Sequence, residues 1–272
     1  MESCDVDSPW LTALVLLEHA TGVGREAVLA HPEVVPSASG AVAFQALVDR
    51  RCNHEPLAYL LGYREFYGRR FAVTPATLIP RPETEGLIEL ALERVDRLSP
   101  TGLGRLVDVG TGSGAIAVTL LTQRPSLEAI GIDFDVNALA VTRVNAITHE
   151  VAPRLKLAAS NLFDAIRGEF SLIVANLPYI PTCEIDGLQP EVARYEPRRA
   201  LDGGADGLRL VERLLEQSET MLAAQGSILA EIGDGQAGQA AEMGRTHFPD
   251  SDVFIADDGV GTPRFLIVDR LG

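Results

Sequence analysis

The chain has 272 residues, 46% of them apolar and 22% charged, with 38 acidic against 23 basic side chains and a formal net charge of −15. This composition can bury a core and excludes a disordered chain, while the length admits one large domain or two modest ones. So acidic a balance counts against a protein that holds long stretches of nucleic acid, because neutralising phosphates takes concentrated Lys and Arg; it leaves room for a local basic patch.

The first elements are helical. Leu11, Leu14, Val15 and Leu17 recur at helix spacing before Gly22, a helix stop; Val42, Leu47 and Val48 mark a second run, and residues 56–61 a third. Residues 1–62 are therefore expected to form a small helical domain. The stretch GYREFYGRRFAVTPATLIPRP carries aromatic and β-branched residues around Gly68 and ends in prolines, which suits a β-hairpin and linker over residues 63–82. From residue 83 to 272 strands and helices alternate. Strands are expected at 105–109, 129–133, 155–159, 172–175, 228–232, 253–256 and 265–268, and helices at 83–96, 115–123, 136–146, 208–223 and 236–245. Alternating βα units make a mostly parallel, doubly wound sheet, and ligands bind such sheets at the carboxyl ends of the strands.

The first strand of that series runs into LVDVGTGSGAIAV, which places Asp108, Gly110, Gly112 and Gly114 at a strand-to-helix turn. Glycines let the backbone approach a ligand, and the helix N-terminus offers free N–H groups. Asp133 ends the next strand, where a carboxylate accepts both hydroxyls of a ribose. These features fit a dinucleotide or S-adenosylmethionine equally. Asp108 favours the second, either receiving the amino group or ordering the turn. Together the residues resemble the Rossmann-like S-adenosylmethionine-dependent methyltransferases.

The fourth strand ends in Asn176-Leu177-Pro178-Tyr179, a sequence suited to methyl transfer onto a planar amino group. Such a nitrogen has a delocalised lone pair, so its hydrogens must be held while it pyramidalises. The Asn176 side-chain oxygen and the Leu177 carbonyl can accept them, Pro178 fixes the turn, and Tyr179 offers a flat face. Asn and Pro after a strand are also ordinary turn residues.

The motif resembles the (Asn/Asp)-Pro-Pro-Tyr signature of amino-group methyltransferases. Its surroundings look like the bacterial release-factor glutamine N5-methyltransferases, which methylate the glutamine of the GGQ loop in peptide-chain release factors. EPLAYLLGYREFYG, TPATLIPRPETE, DVGTGSGAIAV and NLPYIPTCEIDGLQPEVARYEPRRALDGGADGL carry the likeness, with LLEHATG and EIGDGQ adding to it. The linker argues against the related enzymes for a ribosomal-protein glutamine. The resemblance implies an α/β Rossmann-like methyltransferase sheet with a small helical N-terminal domain that recognises the protein substrate. It implies S-adenosyl-L-methionine cradled by Gly110, Thr111, Gly112, Ser113 and Gly114, with Asp133 at the ribose and Asn161 and Leu162 beside the adenine. Asn176 through Tyr179 would hold the substrate glutamine. Leu177 stands where the family commonly has proline and Asn161 where an acid is common, and the helical part begins later than is usual, which implies one helix fewer.

Two rival readings remain: an adenine N6-methyltransferase acting on RNA or DNA, and a module that binds cofactor or partner without turnover. A dehydrogenase comes third. Arg81, Glu83 and Glu85 could order the hinge or line the cleft mouth, Asp202, Gly203, Gly204 and Asp206 could make a turn supporting the strand-four loop or take part in catalysis, and Glu231 could face the cleft or be a satisfied strand end. Arg194, Arg198 and Arg199 form a basic cluster open to either a partner or solvent. His19, His31, His54, His149 and His247 show no paired spacing, so no metal site is expected, and G-T-G-S-G is not the nucleophile-elbow pattern. Cys4, Cys52 and Cys183 form no CxxC, so neither a disulfide framework nor a cysteine zinc site is expected. The start MESCDVDSPW lacks the basic and apolar regions of a signal peptide, and the longest apolar runs fall short of the roughly 18–20 residues of a membrane span. The expectation is a cytoplasmic, monomeric protein without membrane or nucleic-acid partner.

Overall fold

The computed structural model describes residues 4, 6–31, 33, 35–98 and 105–271; of the N-terminal decapeptide, residues 1–3 and 5 lie outside this set. The chain opens with α1 (Pro9–Thr21), α2 (Arg25–Ala30), α3 (Ala38–Cys52) and α4 (Leu57–Leu61), then the hairpin β1 (Tyr63–Phe66) and β2 (Arg69–Ala72). Gly22 ends α1 in the left-handed conformation, its N–H donating to Glu18 O, as a helix C-cap glycine does. Helix α2 escaped the periodicity because its six residues bury none of their side chains.

Contrary to the cysteine reading, Cys4 and Cys52 are joined by a disulfide across 48 positions. The spacing rule tests only local pairs; here the packing of α1 against α3 brings the two ends of the helical segment together. Cys183 is free and exposed.

After α5 (Glu85–Leu98) the chain alternates: β3 (Arg105–Val109), α6 (Ala115–Gln123), β4 (Glu128–Asp133), α7 (Val136–Thr148), β5 (Leu155–Ala159), β6 (Phe170–Ala175), β7 (Ile180–Pro181), α8 (Pro190–Tyr195), β8 (Asp202–Gly204), α9 (Arg209–Ser218), β9 (Leu222–Glu231), α10 (Ala237–His247), β10 (Ser251–Asp257) and β11 (Pro263–Arg270). Helix α9 stops short of the expected 223. The alanine-rich run after it belongs to β9, whose Leu222 pairs with Phe170 of β6; ladder pairing overrides helix propensity here.

Seven strands form one sheet in the order β10-β11-β9-β6-β3-β4-β5, parallel from β9 through β5, with β11 antiparallel to both β9 and β10. Side chains alternate between two buried faces. Leu106, Leu172, Val174 and Leu229 join Leu87, Ile88 and Ala117 of α5 and α6 in one core. Val107, Val109, Ile173, Ala175 and Ile228 join Val211, Leu214 and Leu215 of α9 in the other. From β3 the chain winds first toward β5 and then back to β6 and β9, so the winding reverses between β3 and β6. At that switch point the strand ends leave a crevice.

The hairpin is part of this body. Asn145 of α7 donates from Nδ2 to Ala72 O and to Ser113 O, at 3.0 and 2.8 Å, and accepts from Ala72 N–H at 2.7 Å. One side chain therefore ties the hairpin to the glycine turn.

Candidate active site

A cavity of about 600 Å³ opens at the switch point, and its walls include Gly110, Gly112, Asp133, Asn161, Leu162, Asn176, Leu177 and Pro178. These eight come from the ends of four strands, so the sheet assembles at one place what the sequence separates. Asp108, Thr111, Ser113, Gly114 and Tyr179 are not among the lining residues; they stand behind the wall and shape it.

The glycine turn is held from below. Asp108 is fully buried, and its Oδ2 accepts from the Thr111 hydroxyl at 2.7 Å and from Ala117 N–H at 3.2 Å. Of the two roles open to it, this geometry is the ordering of the turn. Its Oδ1 has no partner, and burial pushes the carboxyl up to about 6. Gly110, Gly112 and Gly114 all have positive φ. At Gly110 a Cβ would stand 2.9 Å from Leu177 Cδ2, so the bare backbone is what lets Leu177 pack into the cleft floor. Thr142 of α7 closes the turn by donating to Gly112 O at 2.8 Å.

Asp133 accepts from Gly112 N–H at 3.0 Å and from Asp135 N–H at 2.9 Å. Burial pushes its carboxyl up, against those two hydrogen bonds. Phe134, exposed beside it, also lines the cavity; as a lone aromatic after the acid it gave no pattern to read. Above this floor Arg199 donates to Asp135 and to Ala76 O, bridging the linker and the β4 end across the cavity mouth.

At the end of β6, Asn176 donates from Nδ2 to Glu231 Oε2 at 3.0 Å and to Thr84 Oγ1 at 3.1 Å. Thr84 donates to the same Glu231 oxygen at 2.7 Å, and the Tyr179 hydroxyl donates to Glu231 Oε1 at 3.2 Å. Glu231 is fully buried. Burial pushes its carboxyl up, while Thr84, Tyr179 and Arg264 pull it down; burial and the Glu231 charge push the Tyr179 phenol up. Of the two readings of Glu231, the geometry gives the satisfied strand end: it stands behind the cavity wall and is bonded by Thr84, Asn176 and Tyr179. The Tyr179 carbonyl accepts from Gln236 Nε2 at 2.8 Å. Beneath it, a Cβ on Gly207, whose φ is +82°, would stand 2.1 Å from that carbonyl oxygen, so the DGGADGL turn packs backbone on backbone under the motif.

The linker and the segment after β7 are also joined. Glu196, buried, accepts from the Arg81 guanidinium and, at 3.1 Å, from Ile79 N–H. Arg51 at the end of α3 pairs with Glu191 at 2.8 Å, and Tyr195 donates to Asn53 O at 2.8 Å. Of the basic cluster, Arg198 pairs with Asp186. Glu85 accepts from Tyr67 N–H at 2.8 Å, a structural contact to the hairpin. Thr84, Asn145 and Glu196 escaped sequence reasoning, since each acts through partners remote in the chain.

The bare-backbone cradle at Gly110, the buried acid beneath it and the carboxylate on the neighbouring strand suit a ligand with a methionine end and a ribose. Fold and site together define a methyltransferase of the Rossmann-like, S-adenosylmethionine-dependent class. The family model described as PrmC N-terminal domain matches residues 1–62, and the methyltransferase small domain matches residues 91–186. A release factor glutamine methyltransferase of Nitratidesulfovibrio vulgaris is 38% identical over 99% of this chain and 91% of its own length. One of Geobacter sulfurreducens is 37% identical over 100% of this chain and 91% of its own. The solved structure of a methyltransferase from Pyrococcus furiosus shares the fold, with a TM-score of 0.54 and 16% identity over 84% of this chain and 98% of that one. The chain belongs to the release factor glutamine methyltransferase family. Among the described residues no helix is long and apolar enough to cross a membrane, and no cluster of metal-ligating side chains occurs.

Proposed function

We propose that this enzyme methylates the N5 side-chain amide of the GGQ glutamine of a peptide-chain release factor. The observation that carries the reading is the placement of Asn176 and Leu177 at the cavity wall directly against the glycine turn, in a chain matched end to end by relatives of that name. S-adenosylmethionine, when bound, supplies a methyl carbon made electrophilic by the sulfonium. Gly110 through Gly114 and Asp133 would hold its methionine and ribose ends, and Asn161 and Leu162 its adenine side.

The Asn176 Oδ1 and the Leu177 carbonyl accept the two hydrogens of the substrate amide, aim its nitrogen into the cleft and favour the pyramidal geometry. Held in this way, the amide nitrogen would present its lone pair to the methyl group that the cofactor would supply, and the amide proton it then loses would pass to water. Positioning and fixed dipoles serve here in place of a strong base. Leu177 in place of the family's proline keeps the carbonyl, and its side chain fills the space above Gly110. We place the protein in the cytoplasm as a monomer, with the release factor as partner and neither nucleic acid nor membrane engaged.

The test is transfer of labelled methyl from cofactor to a release factor and to its GGQ-to-GGA variant. Labelling of the first alone is expected; equal labelling of both overturns the site, and labelling of RNA or DNA instead favours the adenine reading. Asn176→Ala is expected to cut turnover at least about a hundredfold, with release-factor affinity changed far less.

A further inference from the structure

We infer that Glu231 is a positioning residue: it fixes which end of the Asn176 amide faces the acceptor, and so sets the preference for a carboxamide over a carboxylate. The inference rests on the proposed glutamine methylation and goes beyond it by naming what orients its central side chain.

An asparagine amide has two ends of nearly equal shape and opposite hydrogen-bonding sense. Nothing in its packing alone chooses between them; its partners must. A carboxylate only accepts. Glu231 Oε2 lies 3.0 Å from the Asn176 nitrogen, and the reversed amide would set oxygen against oxygen at the same place. Thr84 imposes the same sense through Glu231. Its hydroxyl gives its one hydrogen to Glu231 at 2.7 Å, so only lone pairs remain for Asn176, 3.1 Å away. Both neighbours therefore demand nitrogen, and Oδ1 is left for the cavity that Asn176 lines. The Tyr179 hydroxyl holds the other carboxylate oxygen at 3.2 Å, so the motif's first and last residues are referred to one buried group.

The consequence reaches the substrate. A glutamine side chain brings N–H donors to Oδ1. A glutamate brings none, and meets a fixed acceptor with its own charge. Sites built to hydrogen-bond one group reject the isostere that leaves buried groups unpaired. If Glu231 becomes an amide, it can donate as well as accept, Asn176 can reverse, and the penalty against a carboxylate falls.

The experiment compares the full-length enzyme with Glu231→Gln on two ligands: a release factor carrying GGQ, and the same factor carrying GGE as a competing ligand. The measured quantities are kcat and KM for GGQ, the GGE inhibition constant, and cofactor affinity by calorimetry. Glu231→Gln is expected to lower kcat by about 30- to 100-fold, to leave cofactor affinity within about twofold, and to shift the GGE-to-GGQ affinity ratio toward GGE by about tenfold. A merely structural role would weaken both ligands alike, so an unchanged ratio overturns the inference. Should Glu231→Gln fail to fold, Thr84→Val tests the same assignment from the other side: Glu231 alone still demands the Asn176 nitrogen, so the ratio is expected to stay within about twofold of wild type, and a tenfold shift toward GGE overturns the inference. Wild-type enzyme that does not methylate GGQ overturns the proposed function itself, whereas an active wild type with an unmoved ratio removes only the role of Glu231.

Discussion

Glu196 sits fully inside the protein and meets the Arg81 guanidinium across 115 positions of chain, with Ile79 N–H on its second oxygen. The pair fastens the linker that delivers Thr84 to the segment that delivers Arg199, the two walls of the cavity mouth. Removing one partner of a buried pair strands the other charge, at a cost of about 3–5 kcal/mol when both are buried. The Arg81 side chain keeps 32% exposure, so Arg81→Leu is expected to cost less, about 2 kcal/mol. Adding Glu196→Gln to it should recover part of that loss. A double-mutant cycle by urea unfolding checks this; strictly additive losses would show that the two are uncoupled.

Asp108 makes stability depend on pH in a defined direction. Burial raises its carboxyl from 3.8 to about 6 in the folded protein. Its contribution is therefore fully present below pH 4 and is lost as pH rises through 6, where the folded state must carry a buried charge. Asp108→Asn lacks this dependence. The unfolding free energy of the variant relative to wild type should move in its favour between pH 4 and pH 7.5, by up to about 3 kcal/mol. Parallel pH profiles for the two proteins would refute the assignment.

Gly110→Ala combines a left-handed backbone, φ +77°, with a Cβ 2.9 Å from Leu177 Cδ2. The backbone term alone costs about 1–2 kcal/mol. Cofactor affinity should fall at least about tenfold because the cradle must shift. Adding Leu177→Ala should relieve the collision and leave the φ strain, so thermal stability should recover only in part. Calorimetry with cofactor and melting curves of the three variants test both statements.

Arg199 straps the cavity mouth from an exposed position, its side chain 43% accessible against 12% for Asp135. Exposed pairs add little to stability, about 0–1 kcal/mol, so Arg199→Ala should melt close to wild type. Its effect belongs to cofactor retention: dissociation should quicken by about three- to tenfold. Salt should bring the wild type toward the variant, since screening weakens the strap. A stopped-flow dissociation series in increasing salt reads this directly, and equal rates at low salt would exclude the strap.

Regular elements were legible where the signal is local. Strands β3 and β5 and helix α6 lie at the expected residues, because a buried parallel strand is a continuous apolar run and a glycine turn marks the helix that follows. The end of α9 was not legible, since an alanine-rich run reads as helix until a neighbouring strand claims it. The Cys4–Cys52 disulfide was invisible for a related reason: its residues are brought together by helix packing, not by spacing.

The site divides along the same line. The class of chemistry was legible locally, because Asp108, the glycine turn, Asp133 and Asn176 through Tyr179 each lie within a few residues of a strand end, and a strand end is a local feature. How those groups are oriented is set by contacts that form only on folding. Asn176 takes its direction from Thr84, 92 positions away, and from Glu231, 55 positions away, and Glu196 finds Arg81 only when the linker folds onto the segment after β7. Hydrogen-bond sense at a partly buried amide depends on what stands opposite it, and what stands opposite is set by the sheet order, which brings β6 and β9 side by side.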